Sequence, residues 1–155
     1  MSEVLEVISS FYLPVMDGKL LLPNVSVAEV VDYQTLENSL SDAPDSYLGT
    51  LDWRGMRVPV LSFEKANGHQ FEVASNSRIV VINSVTADNT QLPFFGIVTQ
   101  GIPRLVKITE ESIENLTNKL GPAESAQVRV DGEYAVIPNL GFLEALVLPC
   151  VNNKA

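Results

Sequence analysis

Short apolar segments alternate with turn-forming dipeptides along most of the chain. Three dipeptides, Asp17-Gly18, Asn67-Gly68 and Asp131-Gly132, are typical of tight β-hairpins. Many short strands with frequent turns predict a mostly β protein of the sandwich or small-barrel kind. The segments that we predict as strands are 11–16, 19–22, 57–63, 78–83, 94–100, 104–108, 127–130 and 134–138.

Three segments predict helical structure. Thr109 is a good N-cap, acidic residues follow it in the first turn, and Gly121-Pro122 would end the helix, so we predict a helix over about 110–120. A short helical turn is expected after Pro23. A short C-terminal helix is expected to begin at Asn139, where several leucines follow at helical spacing.

Composition and charge limit the classes of partner. The 155 residues are 46% hydrophobic and 19% charged, which is typical of one globular domain with a sizeable core. The formal net charge is −9 and only 10 basic residues are present, so nucleic acid and anionic membrane surfaces are unfavourable partners. No apolar run approaches the roughly 20 residues that span a bilayer. The first ten residues have no basic region typical of a secretory signal, so we expect a cytoplasmic protein without membrane insertion.

The chain carries little of the chemistry that catalysis needs. His69 is the only histidine and Cys150 the only cysteine, so the usual ligands of a zinc site are missing. No phosphate-binding loop is present. We expect His69 to lie in a solvated loop and Cys150 to be a buried or inert thiol. The sequence therefore predicts no catalytic residue, no metal and no cofactor.

Two lone charges stand out against apolar surroundings. Glu29 is the only charge between Lys19 and Asp32, and Arg54 lies among apolar residues that include the single tryptophan. Because an unpaired charge is costly to bury, we expect a salt bridge in which the guanidinium fork of Arg54 grips the Glu29 carboxylate at roughly 2.7–3.2 Å. The alternatives are that Arg54 extends to water from a turn and that Glu29 lies on an exposed face.

Residues 44–63, PDSYLGTLDWRGMRVPVLSF, resemble the CheW family of bacterial chemotaxis coupling proteins. Pro44, Gly49, Arg54-Gly55 and Pro59 stand at the spacing of the family pattern. Thr50 replaces a usual aliphatic residue and Asp52 a common Asn. Flanking segments extend the resemblance over residues 11–148, and the central block looks most like coupling proteins of pilus-associated, twitching-motility systems.

The resemblance implies the architecture and the role. The fold would be two small five-stranded barrels, interleaved in sequence, within a single domain over 1–155 whose core is about 11–148. The protein would be a non-enzymatic adaptor that couples the cytoplasmic tip of a chemoreceptor to the regulatory barrel domain of a chemotaxis-type histidine kinase. Two alternatives remain: a small β-barrel enzyme or ligand carrier with a buried pocket, and a CheW-like regulator that binds only the kinase.

The resemblance also implies the binding residues. A receptor-facing groove would include Val27, Glu29, Arg54 and Val98, and the Glu29–Arg54 pair would help to shape it. The kinase-facing edge of a barrel would lie near Gly49 to Leu51 and pair with a similar barrel. For Val27 and Val98, ordinary burial in the core is the alternative.

Overall fold

A computed structural model describes residues 7–16, 18–38, 43–85 and 92–152. Eleven strands and two α-helices are formed by these residues, together with a 3₁₀ turn at Asn24–Ser26. In chain order the elements are β1 (Val7–Val15), β2 (Gly18–Pro23), β3 (Val27–Asp32), β4 (Tyr47–Trp53), β5 (Met56–Leu61), α1 (Phe63–Ala66), β6 (Arg78–Asn83), β7 (Phe94–Thr99), β8 (Arg104–Thr109), β9 (Ile113–Asn115), β10 (Glu124–Val130), β11 (Glu133–Pro138) and α2 (Leu140–Asn152).

The strands form two sheets that are interleaved in sequence. Sheet A has the order β8-β1-β2-β11-β10-β9, and sheet B, built from the middle of the chain, has the order β3-β6-β7-β5-β4. The predicted mostly β fold with two interleaved units is confirmed. Sheet A has six strands, where five were expected, because the short strand β9 joins its edge.

The predicted hairpin at Asp131-Gly132 is confirmed. Val130 pairs with Glu133, and both turn residues have the positive φ that a two-residue hairpin turn needs, 48° and 87°. The hairpin β1–β2 also forms, with Val15 opposite Gly18, although Asp17 lies outside the described residues. Of the dipeptide at the first hairpin, the structure describes Gly18, which is the first residue of β2.

The predicted hairpin at Asn67-Gly68 is wrong, because this dipeptide ends helix α1. The Ser62 hydroxyl accepts a hydrogen bond from the Lys65 amide at 3.1 Å and caps the start of the helix. Asn67 is the C-cap, and Gly68 follows with a φ of 86°. Glycine just beyond a helix end has the same sequence signature as glycine in a hairpin turn, so the dipeptide could not separate the two.

The predicted helix over 110–120 is also wrong. Thr109 and Ser112 bind each other in a turn, where the Thr109 amide donates to the Ser112 hydroxyl at 2.9 Å and that hydroxyl donates to the Thr109 carbonyl at 2.9 Å. Strand β9 follows at once and pairs with β10. Residues 115–118 are Asn, Leu, Thr and Asn, and three of these four are weak helix formers, so the strand pairing prevails.

The two other predicted helical segments are confirmed. The 3₁₀ turn follows Pro23, and α2 begins directly after Asn139. The Asn139 side chain accepts a hydrogen bond from the Phe142 amide at 3.0 Å, which is typical of an N-cap. Helix α2 spans 13 residues, and within the described ranges no helix is long and apolar enough to cross a membrane.

Strands β3 and β4 were not predicted. The pattern of β4 alternates cleanly, since Tyr47, Gly49, Leu51 and Trp53 are buried and the residues between them are more exposed. This period of two is a sequence signal that could have identified the strand. Glycine is depleted in strands, which explains why Gly49 obscured it.

Three apolar clusters form the core. One lies inside sheet B, around Leu51, Trp53 and Val98, and another lies inside sheet A, around Tyr12 and Val128. The largest is shared, because it joins residues of both sheets to helix α2. Its members with no exposed surface are Leu13 and Leu20 from sheet A, Leu61, Val80, Ile82, Phe95 and Ile97 from sheet B, Ala123 just before β10, and Leu143 and Val147 from α2.

The two edge strands of sheet B are brought together beside Gly49. After β3 the chain returns to β4, where Glu37 and Thr50 exchange two backbone hydrogen bonds of 3.1 and 2.7 Å. A Cβ on Gly49 would lie 2.7 Å from the Leu36 Cβ and 3.0 Å from the Glu37 carbonyl oxygen. Only glycine therefore permits this close approach, and its φ of 145° also favours glycine.

We expect Gly49→Ala to lower the free energy of unfolding by about 2–3 kcal/mol, because the new methyl group displaces Leu36 and the Glu37 backbone. Urea unfolding measures the loss. Gly101→Ala is the matched control, since its Cβ would have its nearest neighbour at 3.6 Å. Equal stability of the two variants would contradict the close packing at Gly49.

A polar network joins the two sheets at their junction. The Asn67 amide group donates to the Glu124 carboxylate at 2.7 Å and its oxygen accepts from the Ala123 amide at 3.0 Å. Glu124 also accepts hydrogen bonds from the Gln127 side chain and the Gly121 amide at 2.6 and 3.0 Å. Burial raises the pKa of the Glu124 carboxyl, but these donors outweigh it, so the pKa lies below the ordinary value for glutamate.

Because its pKa is lower in the folded state, Glu124 stabilises the fold above the pKa of the unfolded chain, and this contribution is lost as the pH falls through the folded pKa. We therefore expect Glu124→Gln to be less stable than the parent near neutral pH. The difference should shrink as the pH falls below about 4.5, the ordinary value. Unfolding curves recorded between neutral pH and the acid range test this expectation, and a pH-independent difference would contradict it.

Candidate partner-binding site

Glu29 and Arg54 contact each other across sheet B. The Arg54 Nη2 atom lies 2.8 Å from the Glu29 Oε1 atom, within the range expected from the sequence. Glu29 lies on β3, and Arg54 lies in the turn between β4 and β5. The side chains are 67% exposed for Arg54 and 37% for Glu29, so the ion pair is on the surface. The guanidinium makes this contact through one nitrogen, where a two-nitrogen fork was expected.

Trp53 completes the cluster. Its indole Nε1 donates to the same Glu29 oxygen at 3.0 Å, and the Arg54 guanidinium lies 4.9 Å from the centre of its ring. Such a cation–π contact adds roughly 0.5–1 kcal/mol at an exposed position. The ring is only 7% exposed and packs edge-on against Phe94, with the ring centres 4.9 Å apart. Glu29 thus satisfies one buried donor and one exposed cation.

The backbone at Arg54 is strained. Arg54 has a φ of 49° and Gly55 a φ of 75°, in a two-residue turn between the paired residues Trp53 and Met56. Asn, Asp and Gly are the residues that favour this conformation, and a non-glycine residue in it costs about 1–3 kcal/mol when nothing compensates. The contacts of the Arg54 side chain with Glu29 and Trp53 offset part of this cost.

The cluster links opposite edges of sheet B. Strand β3, which carries Glu29, is one edge strand of the sheet, and β4, which ends at Trp53, is the other. The side-chain contacts join these edges at one point, and the Glu37–Thr50 bridge joins the returning chain to β4 at another. Together they bring the sheet edges into contact in the manner of a small barrel.

The other predicted binding residues lie differently. Val27 is half-buried on β3 and packs against the shared core. Val98 and Leu51 are 0% and 1% exposed within the core of sheet B, and Gly49 is buried beside Leu36. The side chains of Val98 and Leu51 and the backbone of Gly49 are thus not exposed, and a role of these residues in partner binding stays a prediction.

The edge of β4 is also not open where kinase pairing was predicted. The Thr50 amide and carbonyl, which would have to pair with an added strand, are already bonded to Glu37. The pairing of Thr50 with Glu37 and the burial of the neighbouring residues depend on contacts between segments that are distant in sequence. The spacing of residues within the motif does not reveal these contacts.

Sequence reasoning missed the role of Trp53. It was noted only as an apolar neighbour of Arg54, yet its indole is the buried donor that Glu29 satisfies. A buried tryptophan usually needs an acceptor for its N–H. Because Glu29 is the lone carboxylate in an apolar run of strand length, these two residues together could have indicated the hydrogen bond between them.

Other chemistry is sparse in the described parts of the chain. Within residues 7–16, 18–38, 43–85 and 92–152, no group of three or more His, Cys, Asp or Glu side chains is arranged to hold a metal ion. His69 is exposed. Cys150 is half-buried, and burial raises the pKa of its thiol, which favours the unreactive protonated form. The lack of a catalytic site and of a cofactor stays a prediction.

The cluster predicts unequal effects for its two charged members. We expect Glu29→Ala to cost about 1–3 kcal/mol, because the buried Trp53 N–H loses its acceptor. Arg54→Ala should cost no more than about 1 kcal/mol, because the ion pair is exposed. Glu29→Gln, which keeps an acceptor oxygen, should fall between them. Urea unfolding followed by the fluorescence of the single tryptophan tests the order, and a larger loss for Arg54→Ala would contradict it.

Comparisons with known proteins identify the family and support the fold. The CheW-like domain model matches residues 11–145. A search of curated protein sequences finds no match. Among solved structures, the fold is similar to the crystal structure of the scaffolding protein TtCheW from Thermoanaerobacter tengcongensis, with a TM-score of 0.74 and 20% identity over 89% of this chain and 92% of that one. Because the family model covers most of the sequence, this chain belongs to the CheW-like domain family.

Proposed function

We propose that the protein is a cytoplasmic, non-enzymatic adaptor that couples the cytoplasmic tip of a chemoreceptor to a chemotaxis-type histidine kinase. Membership of the CheW-like family supports this role, and the similar fold of a scaffolding protein is compatible with it. The observation that carries the proposal is the exposed Arg54 side chain, which Glu29 and Trp53 hold in place above a strained turn. Strain that is maintained at an exposed side chain is typical of a binding site.

The receptor would bind beside the ion pair. Val27 is half-buried and its neighbours Val25 and Ala28 are exposed, so apolar residues directly precede Glu29, to which Arg54 is bonded. A helical receptor tip could place apolar side chains on this surface and a carboxylate near the guanidinium, as helix-in-groove complexes do. Binding would transmit a signal through contacts that differ between receptor states, with no bond made or broken.

The kinase would bind near residues 49–51 through its regulatory barrel domain. Because Gly49 and Leu51 are buried, the contacts there would come from the more exposed side chains of Leu48, Thr50 and Asp52. This mode differs from strand addition, because the bridge to Glu37 occupies the backbone of Thr50. Gly49 and Leu51 would then act by holding the strand in position.

We also propose which kind of chemosensory system the adaptor serves. The central block, LDWRGMRVPVLSFE, favours a pilus-associated chemosensory system that controls twitching motility. The functional unit would be a single domain over residues 1–155, with its core at about 11–148. The affinities for receptor and kinase fragments from a pilus-associated system, compared with those for fragments from a flagellar system, test this assignment. Tighter binding to the flagellar fragments would contradict it.

Arg54→Asn separates binding from folding. Asparagine suits the positive φ of the turn, so the variant should remain as stable as the parent within about 0.5 kcal/mol while losing the guanidinium. We expect its affinity for the receptor fragment to fall at least about tenfold, with kinase affinity unchanged. Arg54→Lys should restore only part of the affinity, because an ammonium lacks the planar guanidinium. Isothermal titration calorimetry with each partner measures the effects.

The control variant is Arg129→Ala, which removes an exposed arginine whose salt-bridge contact with Glu114 is 3.8 Å, on β10 of sheet A. It should bind both partners like the parent. Binding of the kinase alone by the parent would support the kinase-only regulator. Unchanged receptor affinity in Arg54→Asn would remove the ion pair from the receptor site, and binding of neither partner would overturn the adaptor proposal.

A further inference from the structure

A cleft separates sheet A from helix α1 at the junction of the two sheets. We call it the junction cleft and define it by Val15, Leu20, Phe63, Glu64 and Val136. Its volume is about 170 Å³, comparable with the engineered apolar cavity of roughly 150 Å³ that holds benzene. The cleft thus has room for one long side chain or a small organic molecule.

A buried carboxylate lies where the two walls of the junction cleft meet. Glu64 is 3% exposed. Its Oε2 atom accepts a hydrogen bond from the Met16 amide at 3.0 Å, and its Oε1 atom accepts one from the Ser62 hydroxyl at 3.1 Å. Met16 follows Val15 on one wall and Ser62 precedes Phe63 on the other, so the carboxylate joins both walls.

Glu64 has no cationic partner among the residues that the structure describes. Lys19, which also lines the cleft, pairs with Glu133 instead, at 3.7 Å. Buried carboxylates are normally paired with a cation, because burial of an unpaired charge is costly. Two donors leave a carboxylate with further acceptor capacity, since its oxygens together accept about four hydrogen bonds.

The other polar residues of the cleft do not share this feature. Glu124 and Asn67 satisfy each other in the junction network and are also bonded to the Gln127 side chain and the Gly121 and Ala123 amides. His69 is exposed at the rim. The lining therefore combines apolar side chains, several polar groups with partners of their own, and one buried carboxylate that has no salt-bridge partner among the described residues.

We propose that the junction cleft binds the side chain of a lysine from a partner protein. The alkyl stem would pack against Val15, Phe63 and Val136, and the ammonium would bind Glu64. Lysine suits this arrangement, because it carries a compact charge at the end of an apolar stem, whereas a guanidinium favours a planar, two-oxygen contact. The net charge of −9 also favours the approach of a basic segment. The site does not involve Glu29 or Arg54, so it goes beyond the adaptor proposal.

The test uses n-butylammonium as a mimic of the lysine side chain and n-butanol as its uncharged analogue, at constant ionic strength. Amide chemical shifts of the ¹⁵N-labelled protein are followed by NMR. We expect saturable shifts at Met16, Phe63 and His69, and binding of n-butylammonium at least about tenfold tighter than that of n-butanol. Glu64→Gln should lose this preference. Glu110→Gln, which removes an exposed carboxylate elsewhere, should keep it.

Three results would overturn the proposal: no saturable shift at the cleft, equal binding of the two probes, or binding of n-butylguanidinium as tight as that of n-butylammonium. The comparison of probes on the unmodified protein decides the question even if Glu64→Gln does not fold. None of these measurements requires a receptor or a kinase, so their outcome is independent of the adaptor proposal.

Discussion

The hydrogen bonds from Trp53 and Arg54 to one oxygen of Glu29 join the two edge strands of sheet B. An open five-stranded sheet would expose the backbone of both edges and the apolar side chains between them. The bridge at Thr50 pairs part of the β4 backbone, and the contact at Glu29 connects the two edges through side chains. Gly49 makes the bridge possible, because any side chain there would collide with the returning chain. The buried Trp53 bond and the bridge at Thr50 thus join the edges of sheet B beside its apolar cluster.

The two donors that share the Glu29 oxygen, Trp53 and Arg54, contribute differently to stability. Trp53 is buried, so its bond to Glu29 contributes to the fold, whereas Arg54 is exposed and gains little stability from the same oxygen. The strained backbone at Arg54 is one reason why we propose that the guanidinium contacts a partner. This asymmetry connects the geometry of the site to the proposed adaptor role and explains why a turn-compatible substitution should separate folding from binding.

The junction of the two sheets holds a second arrangement of charges. The shared apolar core packs sheets A and B against helix α2, and the hydrogen bond that Asn67 donates to Glu124 adds a polar contact across the junction. Beside this satisfied network, Glu64 is buried without a cation in the described residues, next to a cleft of about 170 Å³. Polar groups that are satisfied hold the two sheets together, and the unpaired carboxylate gives the junction its capacity to bind a cation.

The amino-acid sequence alone was sufficient for the fold class, most of the strands, the helix after Asn139 and the identity of the two lone charges, because periodicity, caps and isolated charges are local features. It did not decide between two structures, such as a helix start and a turn, that share the same local residue pattern. Thr109 and Ser112 form a turn because Ile113 pairs with β10, and Asn67-Gly68 ends a helix that Ser62 begins. Burial of Leu51 and Val98, the closed edge at Thr50 and the role of Trp53 were decided only by the tertiary structure, since each depends on segments that are distant in sequence and meet only after folding.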